Sequence, residues 1–580
     1  MNHARRTRLR LALAIVITLA VVGIFVVRLV DIQLVQAATL NKAAAEKRSI
    51  ALTTYAPRGQ IVADDGTVLA DSVTRYDITA SPRNIGAYTP KGKATLSVLD
   101  QANEIAAITA QDPNVVYQSL TKNPTADYAL VSSAVTTAQM RAVVKLAIPG
   151  IYYQSHPKRT YPDGSVAGNL VGFVGTDGPQ AGIENMYNSC LASTDGSTTY
   201  ERGADGVQIP GSSVTTKAAV PGGTIKLTID PDLQYFAQQA IAEQATAIGA
   251  ESATAVVVRI KDGHLMAVAD WPSVDPNNVN LTPVHNLGSL AFSAQYEPGS
   301  VFKGMSAAML IDTGTASPTS RVTVPWSWKT PEGGRINDAE EHAVEHLTLT
   351  GVLQQSSNVG ISMLGINVPQ QTRLDYMKKF GLGQKTAVDF QGEASGSIQS
   401  LPWDDLTKYN VLYGQGVSAT ALQVAGIYQT LGNNGVRLPL SLVDSCTKPD
   451  GTVTDTPSTT GTRVVSESTA KTVVNMLESV IDSGPLSSTT KIAGYTMAGK
   501  SGTAEVAENG RYSTDRIVSF VGIAPAEDPQ YEVLVTYTKP TTIKTSAAAA
   551  PTFKKIMTQV LTKYRVPPST TPPAYPATTW

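Results

Sequence analysis

The most chemically telling pair in the chain is a serine three residues ahead of a lysine, in Ser300-Val301-Phe302-Lys303. A serine hydroxyl is a weak nucleophile and needs a neighbouring base. Histidine is a poor source here, because the six histidines lie in unrelated contexts and no G-x-S-x-G elbow accompanies them. Lysine is the remaining candidate. Pro298-Gly299 precedes Ser300 as the start of a helix, and Val301 to Ile311 is almost wholly apolar, as a buried helix would be. Residues i and i+3 share a helix face at about 5–6 Å between Cβ atoms, so Ser300 and Lys303 can touch. Burial disfavours the ammonium charge and would let Lys303 accept the serine proton, while the positive helix N-terminus favours developing negative charge. An isolated S-x-x-K has a plainer explanation, an ordinary buried helix with a snorkelling lysine.

Two later motifs change that balance. Ser356-Ser357-Asn358 follows Val352-Leu353-Gln354-Gln355 and alone would be a polar helix end or loop. Ser356 can relay a proton, and Asn358 offers both a donor and an acceptor. Lys500-Ser501-Gly502-Thr503 lies in a Gly-rich stretch, which suits an extended strand at a sheet edge where glycine lets a substrate approach the backbone. Lys500, Ser501 and Thr503 together suit recognition of a carboxylate through charge and hydroxyl donors.

Two other patterns overlap these regions. Gly494 to Ser501 matches G-x-x-x-x-G-K-[ST] literally, the phosphate loop of nucleotide hydrolases. Such a loop must open directly into a helix, and Gly502 and Asn509-Gly510 break one here. His342-Ala343-Val344-Glu345-His346 matches H-x-x-E-H of an inverted zinc peptidase, but Leu347-Thr348-Leu349-Thr350-Gly351 continues a helix poorly. A loop ahead of the Ser356 helix is expected instead.

The elements that must position these residues can be read from pattern. Asp230 suits an N-cap and Pro231 a first turn, with Leu233, Phe236, Ala237 and Ala240 at helical spacing. Ala255–Ile260 and His264–Ala269 flank Lys261-Asp262-Gly263 as a hairpin, and Ile517–Ile523 with Tyr531–Tyr537 form a matching pair. Strands at both ends with helices between predict one antiparallel sheet in an α+β fold. Farther upstream, Arg58 to Ala70 reads as two short strands about an Asp-Asp-Gly turn, and mixed strand and helix signals run on to about residue 215 with no nucleophile, metal or phosphate motif.

With 580 residues, at least two domains are expected. Apolar residues make up 42% and charged residues 16%, which fits globular structure, and 46 basic against 47 acidic residues leave a net charge of -1. No global field exists to recruit nucleic acid. The two cysteines, Cys190 and Cys446, are far apart and are expected to be isolated thiols. Four arginines precede an uncharged run from Leu11 to Val27, long enough to span a bilayer with the N-terminus inside and the rest of the chain outside. Val35-Gln36-Ala37 offers a cleavage site, but Arg28 and Asp31 separate it from the apolar run, so an uncleaved anchor is expected. The resulting layout is a tail over 1–10, an anchor over 11–30, a mixed α/β pedestal over 31–220, a catalytic domain over 221–566, and a Pro/Thr-rich, disordered tail over 567–580.

S-x-x-K, S-x-N and K-[ST]-G in this order resemble the active-site serine enzymes that meet penicillin. The chain is similar to class B, monofunctional penicillin-binding proteins, most of all the FtsI division type. Arg58-Gly59-Gln60-Ile61, Gly182-Ile183-Glu184, Trp271-Pro272-Ser273, Tyr296-Glu297-Pro298-Gly299 and Tyr413-Gly414-Gln415-Gly416-Val417 carry the resemblance along almost the whole length. Ala63-Asp64-Asp65-Gly66 departs from the family's usual Asp-Arg-Asn-Gly. The resemblance implies a transpeptidase domain over 221–566 that cross-links peptidoglycan stem peptides and is trapped by β-lactams, without metal or organic cofactor. It also implies roles: Ser300 as nucleophile, Lys303 as general base, Ser356 as proton relay, Asn358 as orienter and Lys500 as tuning charge. Ser501 and Thr503 would hold the terminal carboxylate beside Gly502, with the amides of Ser300 and Thr503 as oxyanion hole. An FtsW/RodA-type glycosyltransferase and other divisome proteins are the implied partners. A carboxypeptidase or β-lactamase of the same fold, and a non-catalytic wall-synthesis scaffold, are the alternatives.

Overall fold

The computed structural model describes residues 2–92, 94–201, 209–508 and 511–580. The chain divides into two compact units, one of Met1–Pro57, Tyr76–Pro157 and Ser193–Pro221, the other of Arg58–Arg75, Lys158–Ala192 and Gly222–Trp580. The segments 58–75 and 158–192 thus fold with the C-terminal half.

The first unit begins with helix α1, Asn2–Val30. Ala4–Val35 is the one stretch among the described residues long and apolar enough to cross a membrane. Beyond it, Ser49–Thr54, Gly196–Glu201 and Val214–Lys217 form a small sheet. A separate core of Ile78, Ile105, Val116, Leu120 and Val143 lies under three helices that start at Ser97, Asp112 and Thr136. Each of those side chains accepts from a backbone N–H of its first turn, which satisfies a donor the helix leaves open.

The second unit contains the antiparallel sheet that the sequence pattern predicts. Helix α2, Pro231–Ile248, is capped by Asp230 and packs on strands β1, Ser252–Arg259, and β2, His264–Trp271. Downstream come helix α3, Lys303–Asp312, the short strand β3, Glu345–Thr348, and helices α4, Leu349–Gln355, and α5, Asn358–Gly365. Next are the buried helix α6, Ala421–Gly432, and helix α7, Glu467–Ser483. Strands β4, Ala498–Glu508, β5, Arg511–Ala524, and β6, Tyr531–Thr538, complete the sheet before helix α8, Ala550–Lys563. The order is β2-β1-β6-β5-β4, so β1 pairs with β6 from the far end of the domain and β4 lies at the edge.

Two cores flank this sheet. On one side Val257, Ala267, Val533, Val535 and Phe553 pack with α2 and α8. On the other, Val256, Val258, Val521 and Leu534 pack with α3, α6 and α7. Alternation along each strand therefore sends every second residue into a different core.

Two expectations are corrected. Cys190 and Cys446 form a disulfide across 256 residues. The partners meet because Gly223 N–H donates to Cys190 O and the next turn of chain, Ile225, pairs opposite Cys446. Residues 567–580 are not disordered: Ala574 N–H donates to Glu478 Oε2 at 3.0 Å, and Tyr575 OH donates to Asp482 Oδ2 at 2.7 Å. Proline pre-orders the extended backbone, and these bonds then offset the remaining loss of freedom.

Candidate active site

Ser300 lies in a tight helical turn, Gly299–Phe302, immediately before α3, and Lys303 opens α3 itself. The turn is built by two glycines in left-handed conformation. Gly299 has φ 60° and Gly414 φ 80°, and Gly299 N–H donates to Gly414 O at 3.0 Å. A Cβ on Gly414 would sit 2.3 Å from Gly299 O, so no other residue fits. Tyr428 on α6 donates its hydroxyl to Val301 O at 2.7 Å and fixes the turn from below. Glu297 Oε1 accepts from Gly416 N–H at 2.9 Å, which joins the Tyr296–Gly299 and Tyr413–Val417 motifs.

Lys303 is completely buried, and its Nζ has four oxygen neighbours: Ser300 Oγ at 2.8 Å, Ser356 O at 2.7 Å, Asn358 Oδ1 at 2.6 Å and Ser356 Oγ at 3.4 Å. Burial lowers its pKa to about 7, against the opposing pull of the Asp338 carboxylate. A neutral amine has two N–H groups and one lone pair. Ser356 O and Asn358 Oδ1 can only accept, so they take the two N–H groups and leave the lone pair for the Ser300 hydroxyl.

Ser356 ends α4 in the left-handed conformation, φ 61°, and Ser357 then caps α5 by accepting from Gly360 N–H. Ser356 and Asn358 are thereby held on a helix–helix joint that faces Lys303. Lys500, on the edge strand β4, is also completely buried and donates to Ser356 Oγ at 2.8 Å and to Ser501 Oγ at 3.2 Å. Burial, reinforced by the nearby Lys303, drives its pKa well below the ordinary lysine value. Ser356 Oγ thus sits between the two lysines. Ser501 is half-buried and Thr503 exposed, on either side of Gly502, whose missing Cβ would meet Ser519 Oγ at 2.4 Å. A Cβ on Gly299 would meet Thr503 O at 3.0 Å, so the strand runs directly alongside the Ser300 turn.

All eight residues singled out from sequence converge here. Both competing patterns dissolve: the chain continues from Ser501 as strand to Glu508 rather than as helix, and His346 lies on β3 against the Trp580 ring. The Asn509-Gly510 pair lies outside the described residues.

Asp338 belongs to the site without any signal in the sequence. Its Oδ1 accepts from the N–H groups of Asn358 and Val359, and its Oδ2 accepts from Ser357 Oγ at 2.7 Å. His342 Nε2 lies 3.1 Å from Oδ2. One carboxylate therefore ties down Ser357, Asn358 and Val359. No local pattern marks Asp338, since its partners follow it only after an intervening strand. Tyr512, whose hydroxyl donates to both Glu297 oxygens at 3.1–3.2 Å, was missed for the same reason.

Comparison with known proteins agrees with this geometry. The penicillin binding protein transpeptidase domain matches residues 253–558, and the penicillin-binding protein dimerisation domain matches residues 53–227. The chain is 35% identical to penicillin-binding protein PbpB of Mycolicibacterium smegmatis, over 96% of this chain and 90% of that one. It is 32% identical to peptidoglycan D,D-transpeptidase FtsI of Escherichia coli, over 88% and 84% of the two chains. Among solved structures, penicillin binding protein 3 of Mycobacterium tuberculosis, complexed with aztreonam, superposes with TM-score 0.69 at 30% identity, over 90% of this chain and 99% of that one. A peptidoglycan synthetase from Bifidobacterium adolescentis gives TM-score 0.72 at 31% identity, covering 92% and 100%. The chain belongs to the penicillin-binding proteins, in the class B, FtsI-like group that joins a dimerisation-type domain to a transpeptidase domain.

Proposed function

We propose that this protein is a membrane-anchored serine D,D-transpeptidase that cross-links peptidoglycan stem peptides in septal wall synthesis and is acylated by β-lactams. The observation that carries this is the buried Lys303 amine, 2.8 Å from Ser300 Oγ and held by two acceptor-only oxygens. Ser300 Oγ attacks the carbonyl between the two terminal D-alanines, and its proton passes to Lys303. As the tetrahedral adduct collapses, the C–N bond breaks, and the departing amine takes a proton through Ser356 Oγ. An amine from a neighbouring stem then attacks the ester, loses its proton by the reverse route and regenerates Ser300. The amides of Ser300 and Thr503, on adjoining segments, suit the oxyanion. Lys500, Ser501 and Thr503 suit the carboxylate of the substrate, with Gly502 leaving room, and Asn358 orients Lys303.

In this reading the catalytic domain lies outside the membrane. Four arginines ahead of α1 favour that orientation, and the Cys190–Cys446 bridge suits an oxidising compartment. Glycan polymerisation falls to a separate FtsW/RodA-type partner within the divisome. Labelling with a fluorescent penicillin tests the core of the proposal: wild type should form a stable adduct and Ser300→Ala none. Persistent labelling of the variant would remove Ser300 as nucleophile, and rapid hydrolysis of the wild-type adduct would favour a carboxypeptidase or β-lactamase.

A further inference from the structure

The segment expected to be disordered runs instead along the back of the active site and ends on the helix that delivers Ser356. Thr348 N–H donates to Thr578 O at 3.0 Å, and Thr348 Oγ1 donates to Ala577 O at 2.6 Å. Thr348 is also the N-cap of α4, accepting from Gly351 N–H at 3.2 Å. The start of α4 is therefore fastened to residues 577 and 578. Its other end is reached as well: Tyr575 OH lies 2.8 Å from Ser483 Oγ, which accepts from Gln354 Nε2 at 2.7 Å, two positions before Ser356. Trp580 secures the arrangement. Its backbone N–H donates to His346 O and its indole N–H to Leu347 O at 3.1 Å, and its ring packs against His346 and under the Arg321 guanidinium at 5.1 Å. The helix sequence makes room for this. A Cβ at Gly351 would lie 1.9 Å from Thr578 O, so the first turn of α4 carries glycine where the strap crosses.

We propose that residues 574–580 form a positioning strap that sets α4, and through it Ser356, against Lys303 and Lys500. α4 has only seven residues and ends at a left-handed serine, so its own hydrogen bonds fix Ser356 weakly. Fastening its start directly, and bracing its end through Ser483 of α7, converts it into a rigid support. The hydrogen bonds that hold the strap go to Glu478, Asp482, Ser483, His346, Leu347 and Thr348, and to none of Ser300, Lys303, Ser356 or Lys500. The inference rests on Ser356 as the proton relay of the proposed acylation.

The test measures acylation of the full-length, detergent-solubilised chain by a fluorescent penicillin across a concentration series, which separates the limiting rate from the dissociation constant of the first complex. Gly351→Ala should collide with Thr578 O, evict the strap and lower the limiting rate by roughly tenfold or more, the scale expected for sub-ångström misplacement of a catalytic group. The dissociation constant should hold, because the carboxylate-binding residues are on β4. Deleting residues 577–580 should give the same loss, and Gly351→Ala in the deleted chain should add nothing, since the atom it strikes is gone. Trp580→Ala should slow the limiting rate and Trp580→Phe, which keeps the ring but loses the indole N–H, recover part of it. Wild-type limiting rates in Gly351→Ala and in the deletion, or independent losses that multiply, would overturn the strap. Ser356→Ala separates the two ideas. Normal acylation by that variant defeats the relay and the strap together, whereas a slow Ser356→Ala beside wild-type strap variants defeats the strap alone.

Discussion

At the scale of single residues, the decisive quantity is the protonation state of Lys303. Burial lowers its pKa to about 7 and the Asp338 carboxylate opposes that shift. Only the neutral amine can take the serine proton, so acylation should fall as pH drops through about 7 and level off above it. Asp338→Asn removes the charge that supports the ammonium form. The midpoint of the acylation–pH profile should therefore move below 7, and the plateau should fall by about tenfold as the S-x-N backbone loses a charge-assisted acceptor. A midpoint that stays in place would mean that another group controls the limb. The stability consequence has the opposite sense to that of a lysine whose pKa is raised by an ion-pair partner. The unfolded chain binds the proton up to the normal lysine pKa, so this site adds stability as pH rises from about 7 towards that value and loses it on acidification. Ser300 and Lys303 were legible in the sequence because three-residue spacing is a local geometric rule. Asp338 was not, because its bonds to Asn358 and Val359 exist only after the chain has doubled back.

At the scale of elements, caps and hairpins were legible and approach geometry was not. Asp230 caps α2 as its position before Pro231 implies, and its side chain also accepts from Lys563 Nζ at 2.7 Å and from Tyr564 OH at 2.7 Å. The second role joins the two ends of the domain and has no local signature. Likewise Pro298-Gly299 announced a helix start, yet the structure inserts a tighter turn so that Ser300 precedes α3 rather than lying within it. That turn depends on Gly414, which combines φ 80° with backbone contact to Gly299. Gly414→Ala should cost about 1–3 kcal/mol in denaturant unfolding, from strain and overpacking, and should slow penicillin acylation as well. A variant that loses stability but acylates at the wild-type rate would show that the turn serves the fold and not the nucleophile.

At the scale of the whole molecule, composition and the order of motifs gave the architecture, while the long-range covalent link was invisible. Cys190 belongs to a segment, 158–192, that folds with the C-terminal unit even though 193–221 does not. Arg58 holds that segment by pairing with its fully buried Glu184 at 2.7 Å, Arg159 of the segment donates to Gly59 O at 2.6 Å, and the disulfide ties it to the strand Val443–Thr447. A crosslink across such a long loop removes much freedom from the unfolded chain. Replacing both cysteines by serine, or reducing the bridge, should therefore lower stability by about 2–5 kcal/mol. The buried pair around Glu184 should keep the segment docked at 25 °C, so penicillin acylation there should stay at the wild-type rate while the thermal midpoint drops by several degrees. Loss of acylation well below the unfolding transition would instead make the bridge part of the support for the nucleophile.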